Sequence, residues 1–426
     1  MTARNKKAMI IVYGDCGRSP RMCYHARSFL EHSYSVDFVA FNESDVPQYL
    51  SGNPNFRLIP VKKFLSVTNI TFPFNYILMP FKLILQFLHL LFLLFHFTNG
   101  TSLILVQNPP SIPVLLVLAL FKCFVRTFLI IDWHNTGTSI LKLKFGNNVI
   151  VKLSDIYERT LSKFADAHLT VTKAMKKFLE SEYGIKNPII VAYDRPPNLF
   201  KALNENERNE TLFNFLSKHN NELLSLFFNE DKYLLHERPL LIITSTSWTI
   251  DERFDILSKS LELLERRIDD LNSNPVVFLI TGKGPLKSYF LNQVNALHLK
   301  RVHVLTAWLS FDEYPKVMAS CDLGLSLHES SSGKDLPMKV LDMFGSGLPT
   351  CALNFEALNE LVKHDVNGLV FHTAEEFVDQ VCHFLDTPAD LKRLAKGAKS
   401  ISDWKTNWDE NVFSFIQNVP KIANYQ

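Results

Sequence analysis

Asp132-Trp133-His134-Asn135 places a carboxylate, an imidazole and an amide together at the end of an apolar run. Imidazole changes charge nearest to neutral pH, so His134 is the first candidate for a general base. Asp15 is the second, within Gly14-Asp15-Cys16-Gly17-Arg18-Ser19-Pro20 after the first apolar run. There Gly14 and Gly17 permit close backbone approach, a following helix start offers amide groups, and Arg18 adds a cation, which together suit an anion. The turn does not match G-x-G-x-x-G, so a nicotinamide dinucleotide is not indicated. Taken singly, a tight turn and a helix cap explain these two segments equally well.

The second half of the chain carries groups suited to a diphosphate. Thr244-Ser245-Thr246-Ser247-Trp248 and Thr281-Gly282-Lys283-Gly284-Pro285 each follow an apolar run, and hydroxyls, backbone amides and a lysine between glycines can all meet phosphate oxygens. Neither is a Walker pattern. A third loop, His328 to Asp342, is polar and contains glycine before Pro337 opens a helix. On that helix Lys339 and Asp342 stand three apart and share a face, a cation for diphosphate beside a carboxylate for ribose hydroxyls. The ordinary alternative for the pair is a surface ion pair.

Parallel strands with crossover helices must position these loops, because short apolar runs alternate with helical patterns throughout. Strands are expected at 8–13, 36–41, 56–59, 103–107, 127–132, 168–171 and 189–191. After a polar Asn/Glu-rich break they resume at 240–244, 276–281, 302–305, 323–327, 350–353 and 368–371. The expected domains are therefore 1–195 and 239–426, with 196–238 as linker or insertion and the terminal helices free to return to the first domain. Two Rossmann-like parallel-sheet domains facing a central cleft are the expected α/β architecture.

Composition sets limits on partners. A net charge of +2 over 426 residues is too small for a nucleic-acid binder. The six cysteines show no metal-ligand spacing and aspartate clusters are absent, so no metal is expected and a reducing compartment fits. The charge is uneven: from Phe56 to Ser154 nine basic residues face one acid, a balance of +8 that leaves −6 elsewhere. That basic stretch also holds the apolar runs Ile77–Phe97 and Ile112–Ile131, a pairing suited to an anionic membrane surface. Ile77–Phe97 reaches the roughly 20 residues of a spanning helix. Its polar residues Lys82, Gln86, His89 and His96 fall on one narrow stripe, which favours a helix lying in the membrane plane.

In this order the segments closely resemble the chitobiosyldiphosphodolichol beta-mannosyltransferases. The resemblance rests on Gly14 to Met22, Gln107-Asn108-Pro109-Pro110, Ile131 to Asn135, Ser245 to Thr249, Thr281 to Pro285, Ser330 to Gly333, Asp335 to Val340, Glu360 to His364 and Asn367 to Val370. It spans nearly the whole chain except the junction. It implies a GT-B glycosyltransferase that moves mannose from GDP-mannose to GlcNAc2-diphosphodolichol with inversion, at the cytosolic face of the endoplasmic reticulum membrane. Other dolichol-pathway glycosyltransferases are candidate partners, and no cofactor is required. The expected donor set is Ser245, Thr246, Ser247, Lys283, His328, Ser331, Ser332, Gly333, Met338, Lys339 and Asp342. The acceptor and phosphate set is Gly14, Gly17, Arg18, Asn108 and Asn135.

Three features depart from family patterns or sharpen them. Many members begin with a membrane-spanning helix, whereas Met1 to Met9 is short and polar, so anchoring is expected through the apolar first half, a partner, or a start site upstream of this sequence. Thr136 and Thr138 stand where the family commonly has aromatic residues. Related retaining enzymes commonly carry an acid eight positions before the helix carboxylate, and Lys334 occupies that position, in agreement with inversion. The alternatives are a GT-B transferase using another nucleotide sugar or lipid acceptor, and an inactive membrane-bound scaffold.

Overall fold

The structure, a computed structural model, describes residues 6–64, 74–249, 252–271, 273–330 and 332–419. Each apolar run read as a strand forms one, with ends within two residues of the expected positions. The first unit comprises 1–193 and 404–426, the second 194–403.

In the first unit β1 (Lys7–Asp15), β2 (Ser35–Phe41), β3 (Phe56–Pro60), β4 (Leu103–Asn108), β5 (Phe128–Trp133), β6 (Ala167–Thr170) and β7 (Ile189–Val191) form one parallel sheet, ordered 3-2-1-4-5-6-7. Successive residues alternate between two cores: Ile10, Leu105 and Ile130 face one side, Ile11, Val106 and Ile131 the other. Burial on both faces is why these strands read as continuous apolar runs. The order reverses at β1 and β4, which sets their carboxyl ends, together with that of neighbouring β5, at the switch point.

The second unit repeats the plan with β8 (Leu240–Ser245), β9 (Val276–Thr281), β10 (Val302–Ala307), β11 (Leu323–Ser326), β12 (Thr350–Leu353) and β13 (Gly368–Phe371), ordered 10-9-8-11-12-13 and parallel. Within the segment expected to be linker or insertion, helices Glu205–His219 and Asn221–Phe227 pack on this sheet through Leu212, Phe215, Leu216, Leu223 and Phe227. Its Asn and Glu residues serve partly as caps: Asn204 and Glu207 form a capping box.

The C-terminal residues from Trp404 pack in the first unit. Trp408 is fully buried against Phe29, and its indole N–H donates to His25 Nδ1 at 2.9 Å. Helix Phe74–Phe97 extends the expected segment by three residues. Its predicted polar stripe is only part of the account. Lys82, Gln86 and His89 are half-buried, while Phe81, Ile84, Leu88, Phe92 and Phe95 form an exposed apolar stripe.

A core histidine gives the first unit a pH dependence. His168 is buried, its Nδ1 accepts the Trp133 indole N–H at 3.0 Å, and burial pushes its pKa down to about 3. Between about 6.5 and that value the unfolded chain binds the extra proton, so stability falls as pH is lowered through this window, by about 1.4 kcal/mol per pH unit. Asn in place of His168 keeps an acceptor for Trp133 and cannot titrate. His168→Asn is expected to flatten the decline by that amount in urea unfolding between about pH 4.5 and 6; a slope equal to that of the parent chain would refute it.

Candidate functional site

Asp132 ends β5 with no solvent exposure, and three side chains converge on it. Arg21 forms a fork, Nε to Oδ2 at 2.8 Å and the second nitrogen to Oδ1 at 2.9 Å. His25 Nε2 lies 3.2 Å and His134 Nε2 2.9 Å from Oδ2. Burial opposes the Asp132 charge, but Arg21, His134 and the histidine hydrogen bonds outweigh it and hold the carboxyl well below its ordinary range. Burial keeps His25 neutral against the pull of Asp132. Because Trp408 donates to His25 Nδ1, the neutral ring carries its proton on Nε2, toward the carboxylate.

His134 is the exposed member of this cluster, with a quarter of its side chain reaching solvent. Its Nε2–H is directed to Asp132, which leaves Nδ1 as the nitrogen that can accept a proton. Its amide also donates to the Asn108 carbonyl at 2.9 Å, tying the end of β5 to that of β4.

Asp15 is built differently. Its Oδ1 accepts from the Glu43 and Ser44 amides at 2.8 and 3.1 Å, and Arg18 Nε stands 3.7 Å from Oδ2. Burial raises its pKa, yet the hydrogen bonds and Arg18 outweigh that and lower it, which makes Asp15 a weaker base. Gly14 is the penultimate residue of β1, and Gly17 lies in the turn to helix Pro20–Glu31, where Arg18 is largely exposed.

Asn108 and Asn135 both make contacts within the fold. Asn108 is fully buried: Nδ2 donates to Glu158 at 2.8 Å, and Oδ1 lies 2.9 Å from the Ser111 hydroxyl, whose single proton goes to Glu158 at 2.5 Å. Asn135 Oδ1 accepts from Thr136 N and Ser139 Oγ, bracing the start of helix Gly137–Phe145. Thr136 caps that helix by accepting from Ser139 N at 3.2 Å.

In the second unit the loops after β8 and β9 rest against each other. A Cβ on Gly282 would come 1.8 Å from the Thr246 carbonyl oxygen, and one on Gly284 1.8 Å from that of Ser247, so only glycine permits this packing. Ser245 accepts from the Tyr314 hydroxyl at 2.8 Å, Thr246 Oγ1 accepts from Trp248 N at 2.9 Å, and Ser247 shares a 2.6 Å hydroxyl contact with Thr249. Lys283 Nζ stands 4.2 Å above the Trp308 ring.

The loop after β11 is held by its own polar groups. His328 and Glu252 form an isolated antiparallel backbone bridge, Ser330 bonds Asp335 and accepts from Gly333 N, and Lys334 N donates to Ser332 Oγ at 3.2 Å. Ser331 lies outside the described residues. Helix Met338–Gly345 begins without a side-chain cap, and Met338 is exposed. Lys339 is paired with buried Glu252 rather than with Asp342. Burial pushes the Asp342 carboxyl up to about 7. Among the described residues no three His, Cys, Asp or Glu side chains come together as metal ligands.

Sequence reasoning assigned no role to Arg21, His25, Glu158 or Glu252. The four-residue spacing of Arg21 and His25 on one helix was a usable signal; Glu252 and Glu158 had none.

Residues 238–387 match the family model described as Glycosyl transferases group 1. A protein of Candida albicans named chitobiosyldiphosphodolichol beta-mannosyltransferase is 40% identical across 97% of this chain and 89% of its own length. A Homo sapiens protein of the same name is 35% identical across 97% and 93%. Among solved structures, HepE of Anabaena in complex with UDP gives a TM-score of 0.68 at 16% identity, covering 97% of this chain and 100% of that one, a likeness of fold.

The buried Lys339–Glu252 pair makes a stability prediction. Lys339→Ala leaves a buried carboxylate without its cation and is expected to cost about 3–5 kcal/mol. Removing Glu252 as well should cost less than the two single changes summed. Denaturant unfolding of the three variants measures this, and strict additivity would show that the pair does not interact.

Proposed function

The chain belongs to the chitobiosyldiphosphodolichol beta-mannosyltransferase family and is a glycosyltransferase of GT-B fold, and from that premise we propose that it transfers mannose from GDP-mannose to the 4-hydroxyl of the terminal GlcNAc of GlcNAc2-diphosphodolichol, with inversion. The reading rests on the Asp132–His134 pair at the carboxyl edge of the first sheet. In the proposed step His134 Nδ1 takes the acceptor proton as the hydroxyl oxygen bonds the mannose C1. The C1–O bond to GDP breaks and its electron pair leaves on the diphosphate. Asp132 orients the ring and favours the imidazolium that forms.

The second unit takes the donor. Lys283, Lys339 and the amides at the start of helix Met338–Gly345 meet the diphosphate charge, and Asp342 accepts from ribose hydroxyls. Lys339 must then exchange or share its Glu252 contact. No metal takes part in this scheme, so chelation is expected to leave the rate unchanged.

The first unit takes the lipid acceptor at a membrane surface, read as the cytosolic face of the endoplasmic reticulum. Support comes from the exposed apolar stripe of helix Phe74–Phe97, joined by exposed Leu116, Leu120 and Phe124, with Arg126, Lys142 and Lys152 exposed nearby in sequence. By length and composition Pro80–Phe97 could cross a membrane. The in-plane reading is preferred because one face of the helix is anchored in the core by Leu90, Leu93 and Leu94.

His134→Ala is expected to lower mannosyl transfer by about 10²–10⁴-fold while GDP binding holds. The assay supplies GDP-mannose with lipid-linked chitobiose and looks for the trisaccharide; full activity in the variant removes His134 as base. Equal transfer from UDP-sugars would overturn the donor assignment. In vesicle flotation the parent chain should rise with anionic vesicles, and glutamates at Phe81, Leu88 and Phe92 should release it; unaltered flotation would refute in-plane contact through this stripe.

A further inference from the structure

Glu158 lies on helix Val149–Leu161 with no solvent exposure, and no cation pairs with it among the described residues. Its charge is met entirely by dipoles. Oε1 accepts from Asn108 Nδ2 at 2.8 Å, Ser111 Oγ at 2.5 Å and Gly137 N at 2.9 Å. Oε2 accepts from Tyr183 OH at 3.0 Å, Thr138 N at 3.4 Å and Thr138 Oγ1 at 3.3 Å. Burial and the nearby Glu158 charge raise the Tyr183 pKa, which keeps the phenol a donor. Gly137 and Thr138 open the nine-residue helix Gly137–Phe145, whose amino end favours an anion.

These donors come from three separate parts of the chain. Asn108 ends β4 and Ser111 follows it, Gly137 and Thr138 follow β5 three and four residues after His134, and Tyr183 follows helix Lys173–Ser181. Resting on the reading of His134 as base, we propose that Glu158 is a positioning residue for acceptor transfer. It locks the loop after β4 to the loop after β5 and so sets where the His134 ring stands. Six donors on one carboxylate fix both loops more narrowly than apolar packing, because a donor left unmet in this interior is costly. Thr138, which occupies a position where the family commonly has an aromatic residue, is one of these donors. The departure in sequence thus has a definite local role.

Glu158→Gln in the full chain tests this. The carboxamide has the same size, but its NH2 must face groups that also donate. Transfer to lipid-linked chitobiose should fall about 10–100-fold in kcat/KM, as expected for a displaced catalytic group. GDP affinity and the slow hydrolysis of GDP-mannose without acceptor, which depend on the second unit, should change by less than about twofold. Amide hydrogen exchange at Gly137 and Thr138 should quicken. That readout is independent of activity, so it stands even if the chain proves to transfer another sugar. Should Glu158→Gln not fold, Ser111→Ala must show the same selective loss at about two- to fivefold, the worth of one hydroxyl bond. Unchanged transfer with unchanged exchange, or equal losses in transfer and donor hydrolysis, would overturn the proposal.

Discussion

A carboxylate held entirely out of water at the end of a central strand is the constraint around which the first unit is arranged. Moving such an ion into the interior costs several kcal/mol even after relaxation, and losing one partner costs about 3–5 kcal/mol. Asp132 meets this with the Arg21 fork and two imidazoles. Helix Pro20–Glu31 is thereby fixed in rotation, since Arg21 and His25 lie one turn apart and face the same acid. Trp408 completes the arrangement by fixing the proton of His25. Of the four groups, His134 alone keeps substantial contact with solvent.

The second unit holds its buried charge by the same rule with a different outcome. Glu252 pairs with Lys339 through Oε1, so the lysine of helix Met338–Gly345 already has a partner. An anion arriving at Lys339 would have to compete with a buried carboxylate for it. Glycine acts in this unit through packing. Gly282 and Gly284 let two strand-end loops lie carbonyl against Cα, and the hydroxyls of Ser245 and Thr246 brace those loops with Tyr314 and Trp248.

The outer helices of the first unit show the opposite economy. Leu90, Leu93 and Leu94 are buried on one side of helix Phe74–Phe97, while Phe81, Ile84, Leu88, Phe92 and Phe95 remain exposed on another. A helix this apolar cannot satisfy water on its outer face, and exposed lysine and arginine in the neighbouring segments supply what an anionic lipid surface would attract.

The sequence by itself determined the thirteen strands of the described residues, their division into two parallel-sheet units and the strand-end location of the segments read as reactive. A strand buried on both faces must be apolar along its whole length, and a turn must follow it, so both leave a local mark. It also marked His134 beside Asp132, because they are two residues apart. What only the tertiary structure decided is which polar groups are already spent. Asn108 reads in sequence as an acceptor contact and meets Glu158 and Ser111; Lys339 reads as standing beside Asp342 and faces a glutamate 87 residues away. The polar junction looked like linker and contributes two helices to a core. Glu158 and Trp408 left no trace at all, since the partners that give them meaning lie 20 to 383 positions distant. Desolvation and hydrogen bonding act through space over a few ångströms, whereas periodicity along a chain records only which face of an element is dry.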